Sequence, residues 1–536
     1  MSTQVHSSPS TQTASPWQAI CRKFSPDAAS IAPLVVLLLI GHLLLWTVLS
    51  GLSHHAPDWD NMEELVWAST MEWGYYKHPP LPSWLLHGLV AVFDRPVWLT
   101  FFTGQLSVVL SLWFVWRLGC EMTTQRRALM ATLLLSTVTY FTVRGVMNNH
   151  NTIQLWSIAA AIWMFYRAVR HDSMRAWAAV GVFCGFALLT KYSAVIQFAA
   201  FFTYLLFTGR LLQARVWQGI ALATVVLLAM VAPHLWWLAH QSAGPLSYAS
   251  HSLVPKASHL EHLRVLYDFL LTNAGRLVPL GFSLLVVLFW SARQRKADAP
   301  IAAQAATVAS ELAADDRLFL LLVGLGPLVL TLIGSALLKA PLAAPWATTF
   351  FMLFGFFSFW RLRAGDDAQL LRKVMVVVVA LQIVMALGYA LARGPFADMT
   401  GRATRANFPG AAISSQLHGQ WRSHVTSPLK LVAADTWLGG NITTHIGREV
   451  DVLIDGELDR SPWVKPSDVI DCGVLVAVNR SPDNADGTST AVLALMAKAS
   501  WSGSLQLPWT SKAGGPQVIV DWGIIPPQGD CKAAGH

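Results

Sequence analysis

Acidic and aromatic residues are concentrated in residues 58–80, which read DWDNMEELVWASTMEWGYYKHPP. Asp60, Glu63 and Glu64 are spaced i, i+3 and i+4, and Trp67 follows at i+7, so a helix would place them on one face. A carboxylate on such a face can take the proton of an attacking hydroxyl. The alternative is structural, because Asp60 followed by Glu63 also fits a capping pattern at a helix start.

The aromatic residues of the same segment also have two possible interpretations. Trp73, Tyr75 and Tyr76 could stack on a sugar or on a lipid headgroup. Trp and Tyr are also common where a membrane span meets water, so an interfacial belt would account for them. The structural roles explain each residue type separately, but they do not explain why acids and rings occur together here.

The composition predicts a membrane protein. Charged residues are 13% of the 536 residues, against about 25% in soluble domains, and the mean hydropathy is +0.46. Apolar segments of span length recur along the first three quarters of the chain. The net charge of +8 does not indicate a nucleic-acid partner, because Lys and Arg in short loops between spans account for it.

We predict a polytopic α-helical membrane domain at residues 31–393, after a disordered cytoplasmic N-terminus at 1–30. Residues 53–96 form its first loop. The eleven predicted spans are 31–52, 97–119, 128–146, 152–170, 176–190, 194–208, 216–238, 266–290, 317–338, 344–362 and 373–393. With the N-terminus in the cytoplasm, the inner loops carry sixteen Lys and Arg residues and the outer loops carry seven, which favours this orientation. The first loop and everything after about residue 394 then face outward.

Residues 394–536 predict a small α/β domain outside the membrane. Apolar runs of strand length lie at 430–435, 450–454, 473–478 and 517–525, with a helical pattern at 489–499. Because no Gly-rich phosphate loop follows a strand, we predict no nucleotide site. Cys472 and Cys531 fall in this domain, either as a disulfide or as two free thiols.

Three segments resemble glycosyltransferase family 39, which includes protein O-mannosyltransferases and the bacterial transferases that put aminoarabinose on lipid A. The first loop reads DNMEELVW…MEWGYYKHPPLPSWL and is similar to DEAYYW…LDWGYYDHPPL…WL of bacterial members. LLTKYSAVI at 188–196 is similar to the family's LLSKYTAVL. In the tail, AADTWLGGNITTHI followed by DRSPW also looks like bacterial members.

The resemblance implies a C-type membrane glycosyltransferase in the bacterial inner membrane, with its C-terminal domain in the periplasm. Such enzymes transfer a sugar from a polyprenyl-phosphate carrier, here to lipid A or lipopolysaccharide, another glycan, or a protein. The family's catalytic acid falls on Asp60, and its basic residue before Pro-Pro falls on His78, beside Lys77. Glu63, Glu64, Lys77, His78 and the three rings are predicted to bind substrate.

The resemblance also bears on cofactors. Two acids of the family are replaced here, one by Asn61 and one near Asn151. We therefore assign no metal ligand and no certain cofactor, and a divalent cation stays open. The predicted partners are the lipid-linked donor, the acceptor and membrane lipids, with no nucleic acid.

An anionic carrier phosphate needs a cation near the membrane boundary, and Lys191 and Arg276 are the candidates. The two spans that flank Lys191 have about 15 residues each and reach roughly 22 Å, short of a hydrocarbon core of about 30 Å. Their turn can then lie below the membrane surface, where a cation is costly and indicates function. Arg276 lies well within an apolar run. The alternative for both is snorkelling to the headgroups.

Two other classes compete with this prediction. A lipid-linked sugar transporter or flippase would show repeated halves, broken helices and acids within spans, and the spans here hold almost none. A glycan ligase or polymerase uses the same class of donor but should lack the WGYY-x-HPP loop.

Overall fold

A computed structural model describes residues 23–240, 244–245, 259–297, 312–362, 366–481 and 488–531. Residues 1–22 of the N-terminus predicted to be disordered lie outside this part of the chain. The helices of the membrane domain are α1 Ala32–Ser53, α2 Trp59–Trp67, α3 Leu81–Phe93, α4 Val97–Met122, α5 Gln125–Ser136, α6 His150–Arg170, α7 Met174–Thr190, α8 Ala194–Phe207, α9 Ala214–Ala239, α10 His259–Ala297, α11 Ala314–Leu338 and α12 Ala368–Arg393.

The chain is a multi-pass membrane protein. In the described part, six helices are long and apolar enough to cross a bilayer, namely α1, α4, α9, α10, α11 and α12. Helices α3, α7 and α8 are shorter apolar helices. The core of the domain forms where α4 packs along α6, α6 along α7, and α7 along α9.

Two of the predicted spans, 128–146 and 344–362, are not single helices. After α5 ends at Ser136, the chain forms a short 3-10 helix and then a series of turns before α6 begins at His150. Side chains from other helices satisfy the freed carbonyls: Gln382 Nε2 donates to Ser136 O at 2.7 Å and Gln105 Nε2 to Thr142 O at 3.4 Å. Non-helical backbone at membrane depth is stable when the protein buries it and pairs it in this way.

The stretch 344–362 is made of short pieces, Ala344–Phe351, Phe354–Phe357 and Ser358–Trp360. It approaches α5 closely, since a Cβ on Gly355 would lie 2.0 Å from Ala131 O. Hydropathy alone cannot distinguish such a broken, buried stretch from a continuous span.

The C-terminal domain contains α13 Pro395–Thr400, α14 Gly410–His424, β1 Leu431–Ala434, α15 Thr436–Ile446, β2 Asp451–Ile454, α16 Pro466–Asp471, β3 Val474–Asn479, α17 Thr490–Met496, β4 Trp501–Pro508 and β5 Gln517–Ile525. The strand order is β2-β1-β3-β5-β4. Strands β1, β2 and β3 are parallel, whereas β5 pairs antiparallel with β3 and β4. The four predicted strands and the helix within 489–499 are confirmed, and β4 was missed.

Of the two alternatives for Cys472 and Cys531, the disulfide is present, with a sequence separation of 59 residues. It joins the segment after α16 to the end of the described chain. The alternative of two free thiols is therefore wrong.

The C-terminal domain packs directly on the first loop. Met62 and Leu65 of α2 share an apolar cluster with Leu438 and Ile442 of α15. The approach is close, because a Cβ on Gly440 would lie 2.4 Å from Met62 Sδ. Helix α2 is thus held between the membrane domain and the sheet domain.

Candidate active site

A cavity of about 610 Å³ lies where the first loop, the start of α6, the turn between α7 and α8, and residues 345–348 meet. Its charged and polar lining residues are Asp60, Glu63, Glu64, Lys77, His78, Tyr140, Arg144, Asn149, His150, Asn151, Thr152, Lys191, Tyr192, Ser193 and Thr348. Seven of the ten residues predicted from the sequence to form the site therefore lie at or beside this cavity: Asp60, Glu63, Glu64, Tyr76, Lys77, His78 and Lys191.

Asp60 lies in the first turn of α2 and lines the cavity, but it is not the cap of this helix. Helix α2 begins at Trp59 and its N-cap residue is Asp58, which pairs with Arg393 at 2.5 Å. Asp60 Oδ2 instead accepts a hydrogen bond from Asn149 Nδ2 at 2.8 Å. The capping role expected for Asp60 is therefore wrong, and its carboxylate faces the cavity wall formed by α6.

Glu63 is held by two donors. Lys77 Nζ donates to Glu63 Oε1 at 2.6 Å, and the Tyr76 hydroxyl donates to the same oxygen at 3.2 Å. Burial raises the pKa of the Glu63 carboxyl, while the charge of Lys77 opposes this shift. Tyr76 itself does not line the cavity, and its connection to the cavity is the hydrogen bond to Glu63.

Glu64 is buried at the cavity wall and pairs with a histidine. His150 Nδ1 lies 2.8 Å from Glu64 Oε1, and Ser83 Oγ donates to Glu64 Oε2 at 2.7 Å. The ring of His78 packs against that of His150 with 4.0 Å between centroids. Burial lowers the pKa of His78 well below its usual range, and the nearby charges of His150 and Lys191 act in the same direction.

Lys191 lies in the turn between α7 and α8 and lines the same cavity. Its Nζ donates to Asn151 Oδ1 at 2.5 Å and lies 5.8 Å from the ring centroid of Trp346. Helix α6 fixes the turn, because Gln154 Nε2 donates to the Lys191 carbonyl at 2.9 Å. The short flanking helices expected from the sequence are present.

Three predicted site residues lie elsewhere. Trp73 is exposed and packs edge-on against Trp84. Tyr75 is buried under Trp67, with parallel rings 5.1 Å apart, and its hydroxyl donates to Thr70 O. Arg276 lies on α10 and reaches the ring of Tyr140, which lines the cavity, without lining it itself. Packing explains all three positions.

Comparisons with known proteins bear on what such a site does. The family model described as dolichyl-phosphate-mannose-protein mannosyltransferase matches residues 77–237. The lipopolysaccharide core galacturonosyltransferases RgtA and RgtB of Rhizobium johnstonii are each 23% identical to this chain, with 76% of this chain covered in both alignments. These alignments cover 79% of RgtA and 80% of RgtB.

A solved structure shares the fold. ArnT from Cupriavidus metallidurans, bound to undecaprenyl phosphate, superposes with a TM-score of 0.50 at 15% identity. The superposition covers 92% of this chain and 98% of that chain, so it includes both the helices and the C-terminal domain. This chain has the fold of the C-type membrane glycosyltransferases. The resemblance seen in the sequence is thereby confirmed.

The segment that matches the family model holds several residues that the sequence analysis did not single out. Asn149 caps α6, since its Oδ1 accepts from the backbone amides of Asn151 and Thr152, and it also binds Asp60. His150 binds Glu64. The sequence feature that could have identified Asn149 and His150 is the polar run NNHN at 148–151, which stands at the start of an apolar helix.

The acids of the cavity do not form a metal cage. Asp60, Glu63 and Glu64 bind Asn149, Lys77 and His150 respectively. Across the described residues, no group of three or more His, Cys, Asp and Glu side chains is placed to hold a metal ion.

Asn61, at the position where the resemblance implies a second acid, has a structural role through its amide. It is fully buried, donates to Thr100 Oγ1 and Val146 O, and accepts from the backbone amide of Asn148, all at 3.0 Å. The Asn61 amide is therefore committed to hydrogen bonds within the protein.

Proposed function

We propose that this glycosyltransferase moves a sugar from a polyprenyl-phosphate-linked donor to an acceptor of the bacterial envelope, at the periplasmic face of the inner membrane. One observation carries the proposal: Asp60 and Lys191 line a single cavity and are held by Asn149 and Asn151, two residues apart at the start of α6. In this arrangement, the Asp60 carboxylate can accept a proton and the Lys191 ammonium can bind a phosphate.

Lys191 is the proposed ligand of the donor phosphate. Among the described residues, no carboxylate lies within ion-pair distance of its Nζ, so its charge can be used by an anionic ligand. A second cation, Arg144, lines the same cavity. A cation at a turn between short apolar helices is expensive unless an anion compensates it. Undecaprenyl phosphate bound to ArnT, which has the same fold, supports this class of donor.

Asp60 is the proposed general base. Asn149 engages Oδ2, which orients the carboxylate and leaves Oδ1 for the acceptor. In the reaction, the acceptor oxygen forms a bond to the anomeric carbon as the bond from that carbon to the phosphate oxygen breaks. The hydroxyl proton passes to Asp60, and the electron pair leaves with the phosphate, whose charge Lys191 stabilises.

Lipopolysaccharide is the acceptor class that the relatives favour. RgtA and RgtB are both lipopolysaccharide core galacturonosyltransferases, and they align with most of this chain. A lipid-anchored acceptor and a lipid-linked donor can both reach a cavity at the membrane boundary. The excess of Lys and Arg in the predicted inner loops supports an outward-facing site.

The test is direct transfer by the purified protein in liposomes. A panel of polyprenyl-phosphate sugars is supplied with lipopolysaccharide, and both the modified acceptor and the released polyprenyl phosphate are measured by mass spectrometry. We expect transfer with at least one donor, its loss in Asp60→Asn, and normal transfer in Glu72→Gln, a first-loop acid that does not line the cavity. Absence of transfer and release with every donor would refute the proposal.

A further inference from the structure

The C-terminal domain reaches the candidate site through Arg460. This residue follows β2 and is fixed by two carboxylates, with its NH1 2.6 Å from Asp455 Oδ2 and its Nε 2.8 Å from Glu457 Oε2. The guanidinium lies 5.3 Å from the ring centroid of Tyr76, in the first loop. A cation at this distance is attracted to the face of an aromatic ring.

Tyr76 connects Arg460 to the cavity wall. Its hydroxyl donates to Glu63 Oε1, the oxygen that also accepts from Lys77 Nζ. Lys77 Nζ in turn lies 5.1 Å from the ring centroid of Tyr76. The position of the Tyr76 ring therefore influences both members of the Glu63–Lys77 pair, and both line the cavity.

Apolar packing supports the same connection. Trp67 and Tyr75 form a small buried cluster with Val452 and Ile454 of β2, and the partly buried Tyr76 packs against it. Strand β2 leads directly into the segment that carries Arg460. Because β2 is packed against the first loop and Arg460 ends the short 3-10 helix Leu458–Arg460 just after it, the packed strand brings Arg460 next to Tyr76.

We propose that Arg460 is a positioning residue for sugar transfer: it holds Tyr76, and through Tyr76 the Glu63–Lys77 pair, at the wall of the cavity that contains Asp60. This inference rests on the proposed function of that cavity. Loss of the Arg460 charge frees the Tyr76 ring and displaces the pair. Lys191 has separate supports, Asn151 and Trp346, and keeps its place.

The test compares steady-state transfer by Arg460→Gln, Arg460→Lys and Tyr76→Phe. Since small displacements at a reacting centre can cost up to about a hundredfold, we expect kcat to fall by about tenfold in Arg460→Gln, with KM for the donor within about twofold. Arg460→Lys should restore most of the rate, because it keeps a cation beside the ring. The matched control is Arg480→Gln, which removes an exposed arginine that pairs with Asp521 in the same domain.

Tyr76→Phe keeps the ring and removes only its bond to Glu63, so it should reproduce the loss of kcat even if Arg460→Gln does not fold. Unchanged kcat in both variants would overturn the proposal, as would a loss in Arg460→Gln that Arg460→Lys does not restore.

Hydrogen exchange separates this inference from the proposed function. Amides of residues 59–67 should exchange about fivefold faster in Arg460→Gln than in Arg480→Gln, whether or not a donor is turned over. If the native protein transfers no sugar, the proposed function fails, and unchanged exchange at 59–67 would then overturn the positioning role as well.

Discussion

Asn149 Nδ2 donates a hydrogen bond to Asp60 Oδ2 at 2.8 Å, while Oδ1 of the same amide caps helix α6. One side chain thus ties the proposed base to the start of a membrane-domain helix. The orientation of the carboxylate depends on where that helix begins, which links helix capping to the proposed role of Asp60.

This double role can be separated by substitution at Asn149. Ser caps a helix about as well as Asn but cannot reach Asp60, so Asn149→Ser should keep the melting temperature and reduce kcat by about tenfold. Asn149→Ala loses both bonds and should also lose about 1 kcal/mol of stability. Kinetics and thermal unfolding of both variants decide the matter, and full activity in Asn149→Ser would contradict an orienting role.

Removal of the Asp60 charge should abolish most of the activity without harming the fold. Because Asp58 and not Asp60 precedes α2 as its N-cap residue, Asp60→Asn removes no cap, and the new amide oxygen can still accept from Asn149. The transfer rate should fall by about 10² to 10⁴ if Asp60 is the general base. The measurement is the initial rate of sugar transfer by Asp60→Asn, compared with that of the control variant Glu72→Gln. Near-normal transfer would mean that the acceptor needs no base or that Glu63 or Glu64 supplies it.

The shared face of Asp60, Glu63 and Glu64 was predictable because helical spacing is a local property. Trp67, at i+7, contacts the rings of His78 and His150 beside the cavity and is also buried against Tyr75 and β2. Which neighbour covers each part of a helix depends on tertiary packing, and spacing carries no information about it.

Similar reasons explain the other differences. Strand β4 was missed because it contains Gly503 and alternating Ser residues and is mostly exposed, so it lacks an apolar signal. The break after Ser136 depends on Gln105 and Gln382, which come from distant helices. Lys191 could be found from sequence because its signal, a cation between two short apolar segments, is local.

Donor binding should depend on Lys191 and much less on Arg276. Lys191→Met keeps side-chain length and removes the charge, so it should weaken binding of a polyprenyl phosphate by about 10- to 100-fold, as expected for a charge-assisted hydrogen bond. Arg276→Met is the comparison, since Arg276 contacts Tyr140 but does not line the cavity. Equilibrium binding to the purified variants measures both. A larger loss in Arg276→Met would move the phosphate site toward α10.

The C-terminal domain should lie in the periplasm, on the same side as the cavity. The contacts of α2 with α15 place the first loop and this domain on one side of the membrane domain. Alkaline phosphatase fused to the C-terminus should be active in cells, and a GFP fusion should be dark. The opposite pair of results would place Asp60 in the cytoplasm and remove the proposed access to envelope acceptors.

The Cys472–Cys531 disulfide offers an independent test of that compartment. Disulfides persist in the periplasm and are rare in the cytosol, so both thiols should resist labelling in denatured, non-reduced protein and react after reduction. The bond closes a loop with a sequence separation of 59 residues, which corresponds to about 4 kcal/mol on the chain-entropy estimate. Cys472→Ser and Cys531→Ser should therefore lower the unfolding temperature of the domain to a similar extent, and the double variant should add little. Equal labelling of both thiols with and without reductant would contradict the bond and, with it, the oxidising location.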